Sequence, residues 1–302
     1  ACRSNASPAA SCGQSHGAGG ARVMLARTMS RTHASCRLLT TLAVALVLAA
    51  CAGTPATRSA DGGAPPVLLL GEVHDNPDGH ARRYARLKAR VDAGWRPAIA
   101  MEQFDRDRQA DLDRALAECP DAACVIRRAE PAGQGWEWPL YVPVIELALA
   151  RALPLRAANL SRADASRVVR EGYRAALDDA TIASFGLDRP LPRELADGQR
   201  RAIDEGHCHQ LPASIAEGMV RAQVARDVWM AKVVAAEAAR GEGVVLLAGN
   251  GHVRRDLGVP RWLQGTAGAR AFSVGFVEEP ADGDFDERVA IAPHRRVDPC
   301  AK

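Results

Sequence analysis

Two short stretches of this 302-residue chain place residues able to do chemistry at matching intervals. Gly71-Glu72-Val73-His74-Asp75 sets a carboxylate, an imidazole and a second carboxylate side by side. Gly249-Asn250-Gly251-His252 repeats the Gly-x-x-His spacing, and Met101-Glu102 ends another apolar run on an acid. Glu72, His74, Glu102 and His252 admit three chemistries. Two imidazoles and two carboxylates can ligate a divalent metal ion that activates water. A Glu–His pair can work without metal as general acid and base. The same groups can bind a ligand's carboxylate or propionate. Residue types alone leave all three open.

The chemistry needs a scaffold that brings these stretches together. Val67–Leu70, Pro97–Glu102 and Val244–Asn250 are mostly apolar runs too short for helices, and each leads into or ends on one of the polar groups. Such runs read as strands buried on both faces. Leu155–Asn159 and Ala271–Val277 add two more strands, and helical periodicity fills the intervals, from Asp75 to about Ala93, Arg106–Glu118, Val142–Ala152, Ser161–Asp179 and Pro212–Arg240. Residues 180–206 show only weak periodicity. The expected fold is α/β, a mainly parallel central sheet flanked by helices in a single domain. In such a sheet the carboxyl ends of the strands share one edge, where ligands bind. The glycines are expected to let the chain turn tightly so that each histidine projects above that edge.

Other residues fall near the edge. His80, Tyr84, Leu87 and Val91 share one helix face, with His80 on the first turn. Gln223, Arg226, Asp227 and Met230 form a polar stripe that reads as a solvated face. Trp136-Glu137-Trp138-Pro139-Leu140-Tyr141 reads either as a plug over the sheet or as the wall of a pocket for a flat apolar ligand.

The amino-terminal region has a different character. Residues 1–50 hold five Arg and no acid, whereas the rest of the chain has 34 basic and 36 acidic residues. Nothing in that balance points to nucleic acid. Leu38–Ala50 is an apolar run of 13, too short to span a bilayer, and follows Arg31 and Arg37 as in a signal peptide. Leu48-Ala49-Ala50-Cys51 resembles a bacterial lipobox with Cys51 as the lipidated residue. The expected organisation is a disordered upstream extension (1–28), a lipoprotein signal peptide (29–50), a lipidated Pro/Gly-rich tether (51–66), the α/β domain (67–294) and a tail (295–302). This places the domain in the bacterial envelope on a lipid anchor; Ala52 resembles an outer-membrane sorting context facing the periplasm. Cys119, Cys124, Cys208 and Cys300 then stand in an oxidising compartment, with three connectivities open. Cys119 and Cys124 flank a short loop that can close on itself. His207-Cys208-His209 suits a disulfide role for Cys208 better than a metal.

At these residues the chain resembles the ChaN-type haem-binding lipoproteins. The resemblance rests on Gly71-Glu72-Val73-His74-Asp75-Asn76-Pro77, Met101-Glu102-Gln103-Phe104, Trp138-Pro139-Leu140-Tyr141 and Ala158-Asn159-Leu160. Ala222-Gln223, Arg226-Asp227, Met230-Ala231 and Leu247-Ala248-Gly249-Asn250-Gly251-His252 complete it, covering about residues 67–277. It implies haem as cofactor, binding at a homodimer interface, a role in haem or iron uptake and an outer-membrane haem receptor as partner. The wider Tiki, TraB and erythromycin-esterase group implies the alternative, a metal-dependent peptidase or esterase using Glu72, His74, Glu102 and His252. A tyrosinate is the family's type of haem ligand, which puts Tyr141 first, with Tyr84 and His207 behind it. His80 stands where the family often has a histidine pair, but Gly79 precedes it here.

Overall fold

Among the described residues six short strands pair in one sheet in the order β3-β2-β4-β1-β5-β6. They are β1 (Val67–Leu70), β2 (Ala98–Asp105), β3 (Leu155–Asn159), β4 (Val244–Leu247), β5 (Ala271–Glu278) and β6 (Glu287–Ile291). Every pairing is parallel. The computed structural model describes residues 67–130, 135–297 and 300–301, so the expected extension, signal peptide, Cys51 and tether lie outside the described residues. The described residues belong to one compact unit.

Strand side chains alternate between faces, and each face has its own apolar core. Val67, Leu69, Ala98, Ala100, Val244 and Leu246 point to one side. Leu68, Leu70, Ile99, Met101, Val245 and Leu247 point to the other. A sheet covered on both sides needs apolar residues at consecutive positions, which is why these strands read as unbroken runs.

The longer helices follow in chain order: α1 (Pro77–Asp92), α2 (Gln109–Glu118), α3 (Ala122–Ala129), α4 (Val142–Arg151), α5 (Arg162–Glu171), α6 (Asp179–Ser184), α7 (Arg193–Gly206) and α8 (Ala213–Ala238), and a short helical turn, Asn250–Val253, carries His252. Asn76 caps α1 by accepting from the Gly79 amide at 2.8 Å, and Pro77 occupies the first helical position. Among the described residues no helix is long and apolar enough to cross a membrane.

Several expectations change. The weakly periodic interval contains α6 and α7, and the helix expected over Ser161–Asp179 ends at Gly172, whose φ of 87° stops it. A sixth strand, β6, extends the sheet beyond β5. The tail is tied to the domain: Arg296 pairs with Asp75 and with Glu278, each at 2.8 Å. Two disulfides settle the connectivity, Cys119–Cys124 between α2 and α3, and Cys208–Cys300 between the end of α7 and the tail.

Candidate functional site

The parallel sheet brings the ends of β1, β2 and β4 to one edge, and with them Glu72, His74, Glu102 and His252. β2 reaches this edge with an irregularity: its ladder with β3 shifts register between Met101 and Asp105. Glu102 and Gln103 stand within that stretch, and bulges commonly re-aim side chains beside a site.

The four expected residues form two hydrogen-bonded groups that adjoin at Gly249, where His74 and Glu102 both pack. The first is centred on buried Glu72. Its Oε1 accepts from Tyr141 Oη at 2.7 Å, from His74 Nδ1 at 2.7 Å and from Gln103 Nε2 at 3.2 Å. Its Oε2 accepts from the Arg83 guanidinium, which is itself buried on α1. Burial pulls the Arg83 pKa down to about 10, leaving it cationic at neutral pH. An unpaired charge this deep would be costly, so Arg83 and Glu72 stabilise each other's burial.

His80 completes this group from below. Arg83 Nη2 donates to His80 Nδ1 at 3.0 Å, so the ring proton must lie on Nε2, which donates to the His74 carbonyl at 3.0 Å. Burial lowers the His80 pKa, consistent with a neutral ring. Both nitrogens are committed, which leaves His80 no lone pair for iron. It was expected near the edge, and it is there as a support.

The second group is centred on His252. Its Nδ1 faces Asp227 Oδ1 at 2.6 Å and its Nε2 faces Glu102 Oε1 at 3.3 Å. Glu102 Oε2 also accepts from the Gly249 amide at 2.7 Å. Burial alone would lower the His252 pKa, but Glu102 and Asp227 outweigh it and raise it to about 10. Each of its two ring nitrogens thus faces a carboxylate oxygen. Asp227 is fully buried, a correction to the solvated face expected of its stripe.

This geometry argues against the divalent metal site. A histidine ligand needs a free lone pair, and both nitrogens of His252 already face carboxylate oxygens. Glu72 would have to release Arg83. Among the described residues no three His, Cys, Asp or Glu side chains converge as a metal would require. The donor set does not fit a divalent ion.

The glycines of the two Gly-x-x-His motifs serve for clearance rather than for turning. A Cβ on Gly71 would stand 2.1 Å from Asn250 Oδ1, and one on Gly249 would stand 3.0 Å from both Cε1 and Nε2 of His74. Asn250, between the motif's glycine and histidine, staples β4's exit to β5. Its Nδ2 donates to the Phe276 carbonyl at 2.6 Å and its Oδ1 accepts from the Phe276 amide at 3.2 Å.

The aromatic run lies beside the Glu72 group. Trp136 meets the His74 ring edge-on at 5.0 Å between centroids, and Trp138 packs on Phe104 at 5.4 Å. Both tryptophans are half-buried. Tyr141 is fully buried, burial pushes its phenol above the usual range, and its hydroxyl is given to Glu72. As placed it braces Glu72 rather than facing a ligand. Tyr84 is half-buried on α1, and exposed His207 directs Nδ1 to the Ile203 carbonyl of its own helix at 2.6 Å.

Residues 63–263 match the family described as haem-binding uptake, Tiki superfamily, ChaN. The chain belongs to this family. Its fold is similar to that of ChaN of Campylobacter jejuni, a protein that binds haem cofacially. The TM-score is 0.58 at 21% identity, covering 73% of this chain and 85% of that one. The chain is also 30% identical over 166 residues to tetraacyldisaccharide 4'-kinase of Xylella fastidiosa. That match covers 54% of this chain and 43% of the kinase, so the chain spans less than half of that relative. None of its three lysines follows a glycine, so no G-x-x-x-x-G-K phosphate loop comes with the match.

Membership in a ChaN family raises the question of whether this edge fits haem. His74 does: its side chain is 49% exposed, the most open of the four expected residues. The Gly249 cradle seats its ring, and Trp136 and Trp138 offer a flat apolar flank. Haem bound there would supply iron chemistry; the chain supplies a Lewis-basic imidazole and an aromatic wall.

Proposed function

We propose that this chain binds haem at the carboxyl edge of its sheet, against Trp136 and Trp138, and serves haem or iron uptake. The observation that carries the reading is a half-buried aromatic wall in contact with the one imidazole of the edge that stands half in solvent. Haem is broad, flat and mostly apolar, and such ligands favour apolar walls with a few placed polar groups. ChaN family membership supports the same ligand. In this reading the domain is a lipid-anchored protein of the bacterial envelope, tethered through Cys51 to the outer membrane on its periplasmic side. It pairs with a second copy around haem and exchanges haem with an outer-membrane receptor.

The test is a hemin titration of the purified chain followed by absorbance, with light scattering of the same samples. A saturable Soret shift is expected, accompanied by dimer formation. Absence of a saturable shift would sink the haem reading.

A second reading draws support from the Glu72–His74 contact. A buried carboxylate that fixes the imidazole tautomer leaves Nε2 able to take a proton from water, as in a metal-free hydrolase. The metal-dependent peptidase or esterase lacks the donor set described above. Ester and peptide substrates screened with and without chelator separate the two. Chelator-resistant turnover lost in His74→Ala favours the dyad, and chelator-sensitive turnover restores the metal.

A further inference from the structure

We infer that Cys208–Cys300 is a thiol–disulfide exchange site open to a dithiol reductant, and that opening it releases a carboxyl-terminal strap from the exits of β1 and β5. The inference does not rest on the haem reading.

Residues 292–296 form the strap and bind the domain at every second residue. The Ala292 amide donates to Asp78 Oδ2 at 2.9 Å, and its carbonyl accepts from Asn76 Nδ2 at 2.7 Å. The His294 amide donates to Glu278 Oε1 at 3.0 Å. Arg296 Nη2 donates at 2.8 Å to both Asp75 Oδ1 and Glu278 Oε1, and its Nε and Nη1 add a second bond to each carboxylate at 2.8 Å. Asp75 directly follows His74, and Asn76 caps α1, so the strap holds the loop that joins β1 to α1. The Arg296 guanidinium holds the Glu278 carboxyl down to about 2. Without it, two carboxylates that share one nitrogen would face each other as like charges.

These contacts alone hold the strap weakly. The Arg296 and Asp75 side chains are each 34% exposed, and ion pairs of that kind contribute little. The covalent bond supplies the rest. Cys300 lies four residues beyond Arg296, so even a fully extended chain keeps the Arg296 backbone within roughly 14 Å of the bridge. The link thereby raises the effective concentration of the guanidinium at its two carboxylates.

Two observations make this bridge the exchangeable one. Cys300 is exposed and Cys208 half-buried, whereas Cys119 of the other bridge is buried in the core. Cys208 and His209 also both stand in left-handed backbone, at φ of 57° and 54°, which is strained for residues that carry a Cβ. Opening the bridge lets that turn relax. The flanking imidazoles are engaged at the helix end: His207 Nδ1 meets the Ile203 carbonyl at 2.6 Å and His209 Nδ1 meets Asp204 Oδ2 at 2.7 Å.

In the exchange a thiolate of the reductant attacks Cys300 Sγ, forms a mixed disulfide and expels the Cys208 thiolate. The reductant's second thiol then attacks its own sulfur in that bond and expels the Cys300 thiolate. Two electrons pass from the dithiol to the bridge, and the dithiol's two protons end on Cys208 and Cys300.

The experiment treats the full oxidised chain with graded dithiothreitol, then alkylates it and maps the peptides so that each cysteine is counted separately. Cys208 and Cys300 are expected to be alkylated about tenfold faster than Cys119 and Cys124. In the partly reduced protein, amide hydrogen exchange is expected to rise about tenfold in residues 73–78 and 292–296 while β1 and β4 stay protected. Reoxidation is expected to reverse the rise. The double variant Cys208→Ser/Cys300→Ser is expected to show it without reductant, and Arg296→Gln to show it in residues 73–78 with the bridge intact. Reduction of Cys208–Cys300 no faster than that of Cys119–Cys124 overturns the exchange site. Unchanged exchange in 73–78 and 292–296 after reduction overturns the strap. Loss of protection that spreads to β1 and β4 overturns it as well, since the bridge would then support the whole fold.

Discussion

The imidazole of His74 rests against Gly249, where a Cβ would stand 3.0 Å from both Cε1 and Nε2. The relation is mirrored at the other motif, where Asn250 crosses over Gly71 on its way to the Phe276 backbone. The two Gly-x-x-His stretches therefore interlock: the polar side chain that follows one glycine occupies the space left by the other. Gly249→Ala is expected to push the His74 ring away from its seat at a cost of about 1–3 kcal/mol. Urea unfolding measures that cost, and hemin titration should show weaker binding. Unchanged affinity and stability would show that the cradle has slack.

His252 gives a prediction about stability. Replacing it with Leu leaves Asp227 and Glu102 buried without their cation, which is expected to cost about 3–5 kcal/mol. Denaturant melts of His252→Leu measure the loss. A change below about 1 kcal/mol would mean that the carboxylates find other partners.

The same group sets a pH dependence with a definite sign. The His252 pKa is raised from 6.5 to about 10 in the folded protein, so its contribution is complete below 6.5 and is lost as pH rises through about 10. Across that window its contribution to stability falls steadily. Glu102 runs the other way: His252 outweighs its burial and holds its carboxyl below the usual range. Its contribution is present above pH 4.5 and is lost as pH falls toward the depressed value. Melting temperature measured against pH should therefore decline on the alkaline side in the wild type and decline less in His252→Gln.

How much of this was legible in the sequence depends on how far away each partner lay. The parallel α/β sheet and five of its six described strands could be read, because a strand buried on both faces is apolar at nearly every position. β6 could not: Glu287-Arg288-Val289-Ala290-Ile291 is a half-exposed edge strand and lacks that run. The paired Gly-x-x-His motifs were visible, but the reason for their glycines was not, since clearance depends on which side chain crosses from another strand. Asp227 read as solvated because its counter-charge, His252, lies far off in sequence, and nothing in the sequence marked Arg83 as the partner of Glu72. Tyr141 was singled out as an aromatic, and only the fold shows that its hydroxyl points inward.

Glu72 separates a brace from an obligatory counterion. Tyr141→Phe removes one hydrogen bond to a carboxylate that keeps three other partners, and about 1.5–3 kcal/mol is expected. Arg83→Met removes the only cation on that carboxylate's Oε2 and is expected to cost more, about 3–5 kcal/mol. Parallel denaturant curves rank the two. If Tyr141→Phe proves the more damaging, Glu72 is not held chiefly by Arg83.

The two disulfides should differ in what their loss costs. In the chain-entropy relation, stabilisation grows with the loop that is closed, which gives about 2 kcal/mol for Cys119–Cys124, with a separation of 5, and about 4–5 kcal/mol for Cys208–Cys300, with a separation of 92. The tail reached by the longer link is otherwise held in part by the Arg296 pairs with Asp75 and Glu278, and half-exposed ion pairs of that kind add little. Thermal melts of Cys124→Ser and Cys300→Ser, each compared with the oxidised wild type, make the comparison. The Cys300→Ser drop should be the larger. Equal drops would mean that the tail and the α7 end stay associated without the bond, so that the covalent link closes a loop the fold has already closed.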